Sequence, residues 1–154
     1  FRKYAILPIW SDRALRYIKS LNARWRQAGL AEEEFMADKY DLTPQSVLKD
    51  LRAGEILLID VREPAEFANE RIHGALLHPL STFEPKAFPT DGNRRIVFQC
   101  GSGKRSRMAL NNFMKETGIE AAHLAGGIAA WKSARQPCIR LDPATGAIVD
   151  KGDY

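Results

Sequence analysis

Arg95-Ile96-Val97-Phe98-Gln99-Cys100-Gly101-Ser102-Gly103-Lys104-Arg105-Ser106 passes from an apolar, β-branched stretch into a glycine-bearing turn and on toward a helical pattern. Residues 95–99 have the length and composition of a buried strand. Beyond the turn, Met108, Ala109, Leu110, Phe113 and Met114 recur at helical spacings, and Gly118 offers a C-terminal cap. A cysteine therefore stands at a strand-to-helix turn. Two glycines let the backbone curl tightly there, and the first turn of the helix leaves N–H groups able to point at whatever the sulfur carries. The pattern predicts an anion cradle with a nucleophile at its centre.

A free thiol titrates near pH ~8.5, and a helix N-terminus with neighbouring cations lowers it to roughly 3.5–7.5. Lys104, Arg105 and Arg107 are the cations at hand, so the thiolate of Cys100 is expected without a separate general base. The plain alternative is an inert buried cysteine; two glycines and three cations directly after the sulfur favour the nucleophile. A phosphate-binding P-loop would need glycine where Phe98 stands and Ser or Thr where Arg105 stands. A dithiol redox motif would need a second cysteine two residues on, whereas Cys138 lies far downstream. Cys138 is an expected bystander, because the last helix of an α/β domain lies along a face of the sheet. Its far end is then too remote from Cys100 for the Cα separation of about 7 Å that a disulfide allows.

Working outward, residues 55–62 are built on an uninterrupted apolar run, Ile56 to Ile59, as expected of a strand covered on both faces. Pro64 opens a short helix, residues 72–77 lead into another short strand, and residues 82–93 read as a proline-bearing loop with room for one helical turn. Residues 121–124 form a further strand, and Gly126-Gly127 turn into a last helix holding Trp131. Strands alternating with helices predict an α/β domain with a mainly parallel sheet and a ligand site at the carboxyl ends of its strands. On the N-terminal side, Thr43 caps and Pro44 opens a helix with Val47, Leu48 and Leu51 on one face, and Asp41-Leu42 reads as the boundary before it.

The chain has 154 residues, 45% hydrophobic and 27% charged, which suits one ordinary globular domain. Its net charge of +4 is uneven: residues 1–30 hold seven basic residues against one acidic, and the remainder is slightly acidic. Residues 1–40 read as a basic helical extension with Ala14, Ile18, Leu21, Trp25 and Ala28 on one face. The cationic face opposite is taken as solvated, with neither nucleic acid nor membrane as partner. Residues 41–138 form the domain, and 139–154 a tail that could fold as a short hairpin. Two cysteines are too few for a disulfide framework, and no stretch is long enough to span a bilayer. Phe1 in place of Met suits a fragment or a processed chain, so the cytoplasm is the expected compartment with the periplasm left open. His73, His78 and His123 have no metal-ligand spacing and no Asp placed in sequence to orient them, and read as packing or surface residues.

Asp60-Val61-Arg62-Glu63-Pro64-Ala65-Glu66-Phe67, Arg71-Ile72-His73-Gly74-Ala75, the Cys100 loop, and Leu124-Ala125-Gly126-Gly127-Ile128-Ala129-Ala130-Trp131 resemble, in order and spacing, the signature segments of a single-domain rhodanese. The resemblance covers about residues 42–138. It implies a five-stranded, mainly parallel sheet flanked by helices on both faces, and a sulfurtransferase whose Cys100 cycles through a persulfide without metal or organic cofactor. Gly101, Ser102, Gly103, Lys104, Arg105 and Ser106 would hold the substrate, with Asp60 and Arg62 as a buried pair bracing the loop. Rhodanese-like phosphatases have five residues between Cys and Arg; four separate Cys100 from Arg105, which fits sulfur. The expected donor is thiosulfate, a doubly charged oxyanion suited to Lys104 or Arg105. The acceptor would be cyanide, a thiol or a protein. A mercaptopyruvate sulfurtransferase and a non-catalytic binding module of the same fold are the alternatives.

Overall fold

The computed structural model describes residues 39–90 and 93–151. The chain divides into two units, Phe1–Ala37 and Asp38–Tyr154, and the described residues lie in the second. Of the expected basic extension only Lys39 and Tyr40 are described; the rest lies outside.

The apolar runs of the sequence become the middle of a parallel sheet. β1 (Asp41–Leu42), β2 (Ile56–Asp60), β4 (Leu76–Leu77), β5 (Arg95–Gln99) and β6 (Ala122–Leu124) assemble in the order β1-β6-β5-β2-β4, with every pairing parallel. All five residues of β2 are buried, as two covered faces require. Alternation along the strands divides their side chains between two clusters. Leu57, Ile59, Ile96 and Phe98 pack with Ala109, Leu110 and Phe113 of α3 (Lys104–Thr117). Ile56, Leu58, Val97 and Leu124 pack with Val47 and Leu48 of α1 (Pro44–Arg52) and with Ile128 and Trp131 of α4 (Gly127–Ser133). Helices thus cover both faces. No helix among the described residues is long and apolar enough to cross a membrane.

Local chemistry sets the helix starts. The Thr43 side chain accepts the Ser46 N–H at 3.3 Å with Pro44 in the first turn of α1. At α2 (Pro64–Asn69), the Glu66 carboxylate accepts the Glu63 N–H at 3.1 Å in a capping box. The helical turn expected within residues 82–93 is the 3-10 turn Pro85–Ala87, and a second, Leu80–Thr82, precedes it. Phe83 and Phe88 there meet Phe98 edge-on at centroid distances of 5.6 Å, which pins this segment over the sheet.

Asp41-Leu42, read from sequence as a boundary, is instead the edge strand β1. Two residues are too few to carry a periodic signal, and pairing makes them a strand: Asp41 lies opposite His123 and Leu42 opposite Leu124. A second, antiparallel sheet joins β3 (Glu70–Arg71), β7 (Ile139–Leu141) and β8 (Ile148–Lys151) in the order β3-β7-β8. β7 and β8 form a hairpin in the C-terminal tail.

Candidate active site

β5 ends at Gln99 and α3 begins at Lys104, so Cys100 to Gly103 make the turn between them. Two carbonyls of this turn face α4: the Ile128 N–H donates to Cys100 O at 2.8 Å and the Ala129 N–H to Gly101 O at 3.1 Å. Those are N–H groups a helix start leaves unpaired, and here they hold the loop's carbonyls outward. The loop's own N–H groups are then free to face the sulfur, and the Gly103 N–H donates to Cys100 Sγ at 3.1 Å. Gly103 achieves this with φ 93°, in the left-handed region, where an added Cβ would sit 2.9 Å from Gly126 N.

Cys100 is fully buried. Burial alone would push its thiol up, but hydrogen bonds from the Ser106 hydroxyl and from the N–H groups of Ser106, Ser102 and Gly103 outweigh it and leave the pKa below its ordinary value. Of the two causes the sequence offered, the N–H groups of the helix start and the neighbouring cations, the hydrogen bonds carry the lowering. Two of the three cations are in fact occupied. Arg105 forms a bidentate pair with Glu66, Nη1 at 2.7 Å and Nη2 at 2.8 Å, and Arg107 donates to Asp41. Arg105 is therefore a strut between α3 and α2. Lys104 is exposed and in no ion pair among the described residues, so it is the loop cation left for a ligand.

The Arg105 guanidinium holds the Glu66 carboxyl down at about 2 from an ordinary 4.5. A depressed carboxyl contributes stability above its unfolded pKa and loses it as the pH falls through the folded one, so this strut should weaken between about pH 4.5 and 2. Carboxyl-carbon NMR is expected to find Glu66 titrating near 2 in the wild type and near 4.5 in Arg105→Ala. Both groups are over a third exposed, so added salt should narrow the gap.

Asp60 and Arg62, both buried, sit one strand over. Arg62 Nε lies 3.0 Å from each Asp60 oxygen, and Nη2 lies 2.7 Å from Oδ2 and 2.7 Å from Glu70 O. These bonds tie the end of β2 to β3. The Val61 N–H between them donates to Gln99 O at 2.9 Å, immediately before Cys100.

His123 departs from its reading as a packing residue. It is 4% exposed, with Nε2 2.7 Å from Asp41 Oδ1 and Nδ1 3.0 Å from Ser106 Oγ, and Ser106 Oγ lies 3.5 Å from Cys100 Sγ. The orienting Asp, absent from the sequence neighbourhood, is supplied by β1. A cleft of about 480 Å³ opens beside the loop, lined by Asp41, Ser102, Lys104, Arg107, Met108 and His123 among others. His78 packs on Phe83 and Phe88, and His73 is exposed. Among the described residues no group of three His, Cys, Asp or Glu is placed to hold a metal ion. Cys138 is a free thiol in the α1 and α4 cluster, across the sheet from the cluster that holds Cys100, and burial pushes its thiol up to about 11.

The sequence model of the Rhodanese-like domain matches residues 43–134. An uncharacterized protein of Synechocystis is 35% identical over 104 residues, 67% of this chain and 58% of that protein. A sulfurtransferase of Allochromatium vinosum is 33% identical over 85 residues, 55% of this chain and 79% of that protein. Among solved structures, a thiosulfate sulfurtransferase from Pseudomonas aeruginosa superposes with a TM-score of 0.56 at 26% identity, covering 64% of this chain and 19% of that one. The chain thus spans little more than half of the Synechocystis relative.

Proposed function

The chain belongs to the rhodanese-like domain family, and from that membership and its complete cradle we propose that it is a sulfurtransferase working through a Cys100 persulfide, with thiosulfate as donor. One observation carries the reading: the Gly103 N–H donates to Cys100 Sγ at 3.1 Å inside a loop that lowers the thiol's pKa. Such a site favours a thiolate and, after reaction, the anionic outer sulfur of a persulfide.

The reaction is a double displacement. The Cys100 thiolate attacks the outer sulfur of thiosulfate, the S–S bond of the donor breaks, and sulfite leaves with the bonding pair. The persulfide's outer sulfur then passes to a nucleophilic acceptor, cyanide, a thiol or a protein, and the thiolate is regenerated. Neither nucleic acid, membrane, metal nor organic cofactor has a part in this scheme.

The test is an intact mass after incubation with thiosulfate and desalting. A gain of one sulfur atom mapped to Cys100 is expected; an unmodified chain would remove thiosulfate as the donor, one that mercaptopyruvate also left unmodified would make the domain a non-catalytic binding module, and modification of Cys138 would misplace the nucleophile.

Donor choice falls to Lys104. Lys104→Ala is expected to raise KM for thiosulfate by roughly 1.5- to fivefold, the scale of one exposed charge pair, with a larger effect at low salt. Mercaptopyruvate presents a single carboxylate charge and should lose less. Equal losses on both donors would exclude a thiosulfate-specific contact.

A further inference from the structure

Cys100, Ser106, His123 and Asp41 form one hydrogen-bonded line from the interior to the rim of the cleft, with successive separations of 3.5, 3.0 and 2.7 Å. The first three residues are buried, and the Asp41 side chain is 27% exposed. Two features of the fold build it. The parallel register of β1 on β6 sets Asp41 opposite His123, and the first turn of α3 brings Ser106 between the imidazole and the sulfur.

The line has a direction. The Asp41 carboxylate, which also accepts from Arg107, can only accept. His123 Nε2 is therefore assigned the ring proton, and Nδ1 turns its lone pair toward Ser106. The Ser106 hydroxyl then donates to Nδ1 and accepts from the Cys100 thiol. The Ser106 hydroxyl also lies within donating distance of Gly103 O, at 3.1 Å, but that carbonyl accepts the Arg107 N–H at 3.0 Å as well, so the hydroxyl can turn to Nδ1 without leaving it unpaired.

We propose that His123, held by Asp41, is the acceptor of the Cys100 thiol proton, which reaches it through the Ser106 hydroxyl. In this step the S–H bond breaks, its proton passes to Ser106 Oγ, and the hydroxyl proton passes to Nδ1. A thiolate and an imidazolium appear together with no change in net charge, and Ser106 is left donating to the sulfur. The inference rests on reading Cys100 as the nucleophile of the proposed transferase.

The charged neighbours bear on the line from every side. Asp41 of β1 favours the imidazolium and Arg107 of α3 opposes it. On the sulfur bear the N–H groups of Ser102, Gly103 and Ser106, and the guanidinium of Arg105, itself paired with Glu66 of α2. Burial first, then Arg107, keep His123 below its ordinary pKa against the pull of Asp41. The ring is thus neutral on its own account, and the thiolate is what makes its second proton favourable.

The test follows thiolate ultraviolet absorbance against pH with no sulfur donor present, in the wild type, His123→Gln and Asp41→Asn, with Cys100→Ser as the blank. The thiolate midpoint is expected to rise by about one pH unit or more in His123→Gln, the scale of a nearby opposite charge, and by less in Asp41→Asn. Imidazole nitrogen NMR should find His123 protonated alongside the wild-type thiolate and neutral in Cys100→Ser at the same pH. Superimposable titrations of the wild type and either folded variant would overturn the relay, as would a ring that stays neutral while the thiolate forms. If His123→Gln does not fold, Asp41→Asn, altered at the cleft rim, decides. Since no donor is used, an unshifted titration in a chain that transfers sulfur removes the relay alone. A shifted titration in a chain that never gains sulfur removes the transferase reading alone.

Discussion

Cys100→Ser is expected to fold as the wild type does and to transfer no sulfur, with a loss on the order of 10⁴- to 10⁶-fold, as when a covalent catalyst loses its nucleophile. The hydroxyl is slightly smaller than the thiol it replaces. It can keep a bond to the Gly103 N–H, so nothing buried is left unpaired and the melting temperature should hardly move. What changes is chemistry. A serine hydroxyl stays protonated at neutral pH, and hydrogen bonds that favour a thiolate cannot ionise it. An attack on thiosulfate would leave no persulfide. Sulfite release and intact mass are the measurements, and sulfite at the wild-type rate from a folded Cys100→Ser chain would remove this cysteine from the mechanism.

The parts of this site that could be read in the sequence are those that one turn of chain builds by itself. The strand before Cys100, the glycines after it and the helix that follows are contiguous, so their apolar spacing and turn chemistry carry the geometry. Asp60 and Arg62 are two residues apart and meet for the same reason. Arg105 stood out as a loop cation, but its partner Glu66 lies 39 positions away, and the strut between them depends on how α2 packs beside α3. Distance in sequence hid the relay more completely. Asp41 and His123 are 82 positions apart and face each other only through the pairing of β1 with β6. One signal was present: His123 is a polar residue between Ala122 and Leu124 in a strand otherwise fit for burial, and a buried histidine needs partners for its ring nitrogens. The edge strand β1 offered no such signal, because a two-residue strand exists through its neighbour.

Gly127→Ala is expected to destabilise the domain by about 2–5 kcal/mol, combining strain at positive φ with overpacking. Gly127 has φ 59°, and a Cβ there would overlap the Cys100 carbonyl oxygen while lying 2.8 Å from Gly101 C and 2.9 Å from Cys100 C. These are backbone atoms, which cannot swing aside as the tip of a side chain can. They are also held in place, since Cys100 O and Gly101 O accept the Ile128 and Ala129 N–H groups from α4 itself. Relief must come from moving α4 away from the loop, which breaks those two bonds and lets the carbonyls turn inward against the sulfur. The folded fraction of Gly127→Ala should therefore also lose the lowered thiol pKa, visible as a later thiolate titration. Gly54→Ala isolates the other contribution: Gly54 has φ 69° with nothing within 4 Å of its would-be Cβ, so only the backbone penalty of about 1 kcal/mol applies. Calorimetry of the two variants is expected to place Gly127→Ala well below Gly54→Ala in melting temperature, and equal melting temperatures would mean that α4 does not hold the loop.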